Sequence, residues 1–318
     1  MQKTLAQRKI PYVLMAVLLT ALMLSLETSV HAGDLAPPGT LGEVHKSGEG
    51  ERVLLLIPCM SCRWRSFDTF MERNQDRYTM IAVTLPGFAG TRAPDLPRNS
   101  NTSLWHDNAV EALSRLIDSE KLESVVVVGH SFGADIGLKL IARRPEVVKA
   151  YVIVDGWPMS DRSWFYEPQE DRMKSAIRTV AEQSEQFADL DEWQKFNIPG
   201  ITDPDRRLLY HGWFMSTPVD VLLQYWRENA LKDLNPLLSG LSMPVLDIKT
   251  ISAKSNPEKA KQLRADQLRR NGAPEQVKTV FLHSTRHFVM EERPEVLDQL
   301  IWDFLEGKEL SDFVPPAE

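Results

Sequence analysis

Cysteine is nearly absent: 318 residues hold only Cys59 and Cys62, in the stretch PCMSC. Structural zinc usually takes four ligands, and no second Cys or His pair stands at metal spacing, so no metal site is expected. A thioredoxin-type pair should open a helix in a quite different fold. Two readings of the pair stay open, a short-loop disulfide and two free thiols, because geometry decides between them. Basic charge is also in deficit, with 37 Lys and Arg against 44 Asp and Glu, a net charge of −7. That balance gives no electrostatic case for binding nucleic acid. Beyond Leu26 no apolar run is long enough to cross a bilayer, and neither internal repeats nor low-complexity tracts occur. What remains is ordinary globular composition, 43% hydrophobic and 25% charged, enough chain for a sizeable core without metal support.

The first residues stand apart. Lys3, Arg8 and Lys9 precede an apolar run from Ile10 to Leu26, and Val30-His31-Ala32 follows. This is the layout of a secretory signal peptide, residues 1–32, cut after Ala32. An uncleaved membrane anchor is the alternative; the small residues before Gly33 favour cleavage. Removing the segment takes away three positive charges and Glu27, leaving a net charge of −9. The expected location is periplasmic or secreted, with no stable membrane insertion after cleavage.

Past a proline-rich leader, LAPPGT (35–40), GEVHKS (42–47) reads as a weak edge strand and SGEGE as a turn. Continuous apolar runs bounded by turn signals follow at VLLLIP (53–58), TMIAVTL (79–85), SVVVVGH (124–130) and KAYVIVD (149–155). Such runs suit strands buried on both faces. Between them, residues 103–120 show helical spacing with Ser103 as N-cap, and FGADIGLKLIARR reads as a helix. Strands alternating with helices imply right-handed crossovers and a mostly parallel sheet. From Gly156 to Gly240 the alternation stops. That stretch carries helical pieces, DRMKSAIRTVAEQSEQFA and PVDVLLQYWRENALKDL, and no convincing strand. It reads as a helical cap (156–240) inserted in a core of residues 33–155 and 241–318. The rhythm resumes with PVLDIKT (244–250), a helical NPEKAKQLRADQLRRNGA, KTVFLHS (278–284) and a last helix, PEVLDQLIWDFLEG.

Within the third buried strand's exit, Gly129-His130-Ser131-Phe132-Gly133 matches G-x-S-x-G. By composition alone such a pentapeptide arises by chance in roughly one chain of this length in ten. Its setting is more specific: a buried strand ends at His130, a helix begins at Phe132, and glycines allow a sharp turn that lifts the serine above the sheet edge. The helix N-terminus offers free N–H groups to developing negative charge. A serine needs a base within reach. His130 belongs to the turn and His283 to a strand, whereas His287 falls in the loop after the last strand, at the carboxyl end of the sheet where ligands bind in open α/β folds. His45, His106 and His211 have no comparable placement. For the carboxylate that orients the base, the loop TISAKSNP after PVLDIKT has no acid. Asp247 lies within that strand, too early; Asp155 ends the preceding strand at the same sheet edge as Ser131 and is favoured.

The segments VLLLIP, YTMIAVTLPGFAGTRAP, VVVVGHSFGADIGLKLIARRPE, YVIVDGWP and TRHFVMEERPEVL together resemble the α/β-hydrolase superfamily over residues 41–308 apart from the cap, and TLPGFAG and RHFVM resemble an exported bacterial branch of it. The resemblance implies an α/β-hydrolase fold, an eight-stranded, mostly parallel sheet flanked by helices. It also implies a cap that shapes the substrate pocket, a Ser131–His287–Asp155 triad and an acyl-enzyme mechanism without a cofactor. Two departures stand out. Pro58-Cys59 replaces the His-Gly that usually follows the first long strand, so the oxyanion donors carry over to the backbone N–H groups of Met60 and Phe132; a Cys59–Cys62 disulfide would hold that loop in place of the glycine turn. Ala134-Asp135 replaces two small residues, and Asp135 is expected to face a neighbouring helix or solvent.

The expected function is hydrolysis of a small ester-like substrate, a carboxylic ester, thioester or lactone. The alternative is a ligand-binding protein on the same fold with little or no catalysis, which the altered oxyanion loop favours. A serine at the elbow argues against haloalkane dehalogenase and epoxide hydrolase chemistry, which need a carboxylate there. Trp157, Trp164, Phe165, Trp213, Phe214, Tyr225 and Trp226 suggest an apolar substrate portion, although core packing explains any one of them.

Overall fold

A computed structural model describes residues 35–98, 100–156, 201–231 and 234–315; those from Ala36 onward form one unit. The signal segment, the helical stretch 171–188 and Trp157, Trp164 and Phe165 lie outside the described residues. Seven strands make one sheet in the order β1-β3-β2-β4-β5-β6-β7. They are β1 (Glu43–Ser47), β2 (Arg52–Ile57), β3 (Tyr78–Thr84), β4 (Val125–His130), β5 (Val148–Val154), β6 (Val245–Ile251) and β7 (Val277–His283). Only β1, at the edge beside β3, pairs antiparallel; the other pairs are parallel. Among the described residues the sheet is thus one strand short of the eight that the resemblance implies.

The helices are α1 (Asp68–Asn74), α2 (Leu104–Ser119), α3 (Phe132–Arg143), α4 (Pro204–Met215), α5 (Val219–Leu231), α6 (Asn235–Ser239), α7 (Pro257–Arg270), α8 (Val289–Glu292) and α9 (Pro294–Leu305). Both faces of the central strands are covered, which is why their sequences are unbroken apolar runs. One face, with Leu54, Leu56, Val126, Val128, Val152, Val154, Leu246 and Ile248, packs on Phe70 and Met71 of α1 and Leu297, Ile301 and Phe304 of α9. On the other face α3 lies so close that a Cβ on Gly137 would stand 3.0 Å from Val127. The tyrosine hydroxyl of Tyr151 reaches up to donate to the Ala134 carbonyl of α3.

Between β5 and β6 the described residues hold α4, α5 and α6 and no strand. Two polar struts tie these helices to the sheet-bearing part. Arg206 of α4 bonds Asp68 of α1 at 2.8 Å and also Glu291 of α8, while the Tyr210 hydroxyl donates to Glu291 at 2.8 Å. The second strut corrects the expected cap of α2. Ser103 occupies the N-cap position but makes no bond to a helix N–H; its hydroxyl turns to Asp107. The orphan donors are taken by Glu228 of α5, whose carboxylate accepts from Trp105 N at 3.0 Å and His106 N at 2.9 Å, with Gln224 donating to it at 2.9 Å. A full negative charge at a helix N-terminus outcompetes a hydroxyl because it meets both the free N–H groups and the positive end of the helix dipole. Burial nevertheless raises the Glu228 pKa, against the lowering effect of those N–H donors.

Glu228→Ala leaves two buried N–H groups of α2 without acceptors. Urea denaturation is expected to show a loss of about 2 kcal/mol, and Glu228→Gln, whose amide oxygen still accepts, a smaller one.

Candidate active site

Two parallel registers bring the carboxyl ends of β4, β5 and β6 level. His130 pairs with Val154 and Val154 with Ile248, so the residues that follow, Ser131 and Asp155, emerge on the same edge of the sheet. Their backbones are joined to the ladder there: Ser131 N donates to Val154 O at 3.0 Å, and Asp155 N to Ile248 O at 2.9 Å.

Ser131 sits at φ 53°, ψ −120°, a region that costs a residue with a Cβ about 1–3 kcal/mol. The neighbouring glycines make the turn feasible. A Cβ on Gly133 would lie 2.1 Å from the Ile57 carbonyl oxygen, and one on Gly129 would lie 2.6 Å from Ala134 Cα. The first turn of α3 is therefore pressed against the end of β2. This is the strained strand-to-helix elbow expected from the sequence, with the Phe132 N–H at the helix start.

The stretch that follows β2 carries Met60, partly exposed, between Cys59 and Cys62. Those two cysteines form a disulfide with Cα atoms 5.1 Å apart, and Cys62 N donates to Cys59 O at 3.1 Å. Since Ile57 pairs with Gly129 across the β2–β4 ladder, this disulfide-closed turn begins two residues beyond the point where the elbow leaves the sheet.

His287 lies in the loop between β7 and α8. Its Nδ1 is 2.7 Å from Asp155 Oδ2. With Nδ1–H donating to the carboxylate, Nε2 is left with a free lone pair, the tautomer a general base requires. Asp155 also accepts from the Thr250 N–H at 3.1 Å through Oδ1 and from the Thr250 hydroxyl at 2.9 Å through Oδ2. Burial works against its charge, but the His287 bond, the Lys249 ammonium and the Thr250 N–H together hold the carboxyl well below the usual carboxylate range. Asp155 has φ 44°, so its side chain leaves the strand on a backbone as constrained as that of Ser131.

The competing acid is elsewhere. Asp247 is fully buried in mid-strand, where Arg264 of α7 bonds it at 2.7 Å and the Thr279 hydroxyl at 3.2 Å. Asp135, expected to face a neighbouring helix or solvent, is buried at 3% exposure in the first turn of α3, so the solvent alternative falls. Tyr225 and Trp213 are buried core residues. Tyr225 of α5 packs between Phe88, Trp105 and Phe132, its ring centroid 5.7 Å from that of Phe132.

His130 has a role in the site that its sequence position did not reveal. Its Nε2 lies 3.0 Å from the His287 carbonyl oxygen and its ring centroid 4.7 Å from that of His287. It thus joins the residue before Ser131 to the backbone of the histidine loop. Burial first, then the proximity of His287, pushes its pKa down to about 3; the ring is neutral and donates through Nε2–H. Thr250 and Lys249 were missed as well. The available signal was a lysine inside PVLDIKT, a strand otherwise reading as buried.

A family profile described as the alpha/beta hydrolase family matches residues 54–300. The mostly parallel sheet flanked by helices, with a strand-to-helix elbow at its carboxyl edge, fits that family. The chain belongs to the alpha/beta hydrolase family. Among characterised relatives it is 32% identical to lipase LipV of Mycobacterium tuberculosis over 157 residues, 43% of this chain and 56% of that protein. It is 22% identical to a 2-(acetamidomethylene)succinate hydrolase of Mesorhizobium japonicum over 83% of this chain and 91% of that one. The match thus spans little more than half the length of the lipase. In fold it is similar to a thermophilic esterase from Thermogutta terrifontis, with a TM-score of 0.62 at 18% identity, covering 83% of this chain and 93% of that one. Among the described residues no helix is long and apolar enough to cross a membrane.

A histidine depressed in the folded state and ordinary when unfolded costs stability at acid pH. The His130 contribution is complete above the ordinary value of 6.5 and is lost as pH falls toward about 3. Comparing unfolding free energies across that window, His130→Gln is expected to show a shallower loss with acidification than the wild type.

Proposed function

We propose that the protein is a serine hydrolase of small ester-like substrates, carboxylic esters with thioesters and lactones as neighbouring chemistries. The observation that carries this reading is the 2.7 Å bond between His287 Nδ1 and Asp155 Oδ2 at the edge where Ser131 stands on a strained elbow. Ser131 is the nucleophile, His287 the general base and Asp155 the acid that fixes its tautomer.

As Ser131 Oγ attacks the carbonyl carbon, His287 Nε2 takes its proton, and the imidazolium so formed is stabilised by the Asp155 carboxylate. The N–H groups of Phe132 and Met60 take the oxyanion, preorganised donors that gain most in a water-poor site. His287 then protonates the leaving alcohol. Water, activated by the same base, releases the acid from Ser131. The scheme requires no cofactor and no metal.

In this proposal the core is residues 33–155 and 241–318, and residues 156–240 are a cap that shapes the pocket for a substrate with an apolar portion. Residues 1–32 are read as a signal that exports the chain to the periplasm or beyond. The Pro58-Cys59 stretch, standing where His-Gly usually lies, favours a second reading. On that reading the fold binds a small ligand and turns it over slowly or not at all.

Fluorophosphonate labelling separates the two. The enzyme reading expects covalent labelling of the wild type that Ser131→Ala abolishes; wild-type protein that never labels sinks it. With p-nitrophenyl esters of graded acyl length, Asp155→Asn is expected to lower kcat roughly 10³–10⁴-fold. Asp247→Asn is expected to keep the turnover of folded molecules while losing about 3 kcal/mol of stability, because Arg264 is left buried beside a neutral amide.

A further inference from the structure

Asp155 is an improbable place for a well-behaved carboxylate. It follows the last residue of β5, adopts φ 44° without being glycine, and is largely buried, its side chain 15% exposed. Left to itself, such a side chain has no reason to keep one orientation or to stay charged. Two consecutive residues of the neighbouring strand supply both reasons.

Thr250 gives Asp155 its backbone N–H at 3.1 Å and its hydroxyl at 2.9 Å, one to each carboxylate oxygen. The His287 Nδ1–H takes the remaining approach to Oδ2, so the plane of the carboxylate is set from two sides. Lys249 is itself buried, at 7% exposure. Its ammonium donates to the carbonyl of Gly156, the residue directly after Asp155, and lies 3.9 Å from Asp155 Oδ1. One cation therefore pins the backbone that carries the acid and provides a charge beside it. The ionisable groups whose charges act on this ammonium are Asp155 at the end of β5, Asp247 on its own strand, Asp135 from α3 and Arg264 from α7. Burial pushes the Lys249 pKa down, and the three carboxylates oppose that effect.

We propose that Lys249 and Thr250 are positioning residues for Asp155: together they lock an acid at the end of β5 into the orientation and charge that His287 needs. The assignment deepens the serine hydrolase reading and rests on it for its catalytic meaning. It gives β6, whose own following loop carries no acid, a part in the site. The strand supplies the clamp for a carboxylate held on its neighbour. A buried ion pair that merely stabilised the fold would not need the ammonium on the Gly156 carbonyl or both Thr250 donors on one carboxylate.

A cation near the His287–Asp155 pair disfavours the imidazolium, so removing it favours protonated His287. The ring of His287, identified by the loss of its signal in His287→Gln, is followed by NMR across pH in full-length protein. Lys249→Met is expected to move its titration midpoint upward by about one pH unit. Lys249→Arg, which restores the charge, should bring the midpoint back toward the wild type. Thr250→Val removes one donor and no charge, and is expected to raise the midpoint by a smaller amount; it serves as the test if Lys249→Met does not fold. The acidic limb of the fluorophosphonate labelling rate should move in the same direction in each folded variant. A midpoint in Lys249→Met and Thr250→Val equal to that of the wild type overturns the assignment. Wild-type protein whose Ser131 never labels overturns the hydrolase reading instead, and the histidine titration still judges the clamp.

Discussion

The arrangement of the site depends on how closely the first turn of α3 approaches the end of β2. Gly133 leaves no room for a side chain, since a Cβ there would overlap the Ile57 carbonyl oxygen at 2.1 Å. That contact forces the chain to reverse within the single residue Ser131, whose backbone sits at φ 53°. Everything else at the sheet edge is placed relative to this turn. The Phe132 N–H is directed there because the helix begins at once, and the disulfide-closed turn holding Met60 follows because β2 ends beside it. The strain in one residue is tolerated because the sheet ladder before it and the helix after it over-determine it.

Around the elbow, the polar groups are bound more tightly than a hydrophobic core would require. His130 is neutral and ties the turn to the histidine loop. Asp155 takes donors from Thr250 and His287. Glu228 and Arg206 tie α5 and α4 to α2, α1 and α8. Each of these three side chains, Asp155, Glu228 and Arg206, is met by hydrogen bonds or an opposite charge, the condition under which buried polar groups add rigidity and do not simply cost stability. Arg206 also reaches α8, the helix that directly follows the His287 loop. Arg206 and Tyr210 therefore join α4 to the helix that follows the proposed base.

The strands were legible because a parallel sheet covered on both faces demands unbroken apolar runs, and runs such as VLLLIP and VVVVGH admit few other readings. The elbow was legible because a strand, two glycines and a helix follow one another between Val125 and Arg143. Placing Asp155 at the strand end and Asp247 inside the strand also needed only the sequence, since period and length locate both. Less legible were the partners. Nothing local to Ser103 shows that Glu228, more than a hundred residues on, caps that helix in its place. Asp135 was harder still, because α3 is buried almost all round and its pattern shows no solvent face in the first turns.

The sequence by itself determined the kind of scaffold, the turn that carries Ser131, and the short list of histidines and carboxylates able to reach the carboxyl edge of the sheet. These follow from local rules, the period of apolar residues and the steric freedom of glycine, that act over a few residues. Tertiary structure alone decided which of those groups meet. Strand register brought Asp155 level with Ser131, the loop after β7 folded back to set His287 on Asp155, and β6 placed Lys249 and Thr250 beneath the pair. Hydrogen bonds and charges act over a few ångströms in space, and only the folded chain sets which distant residues lie that close.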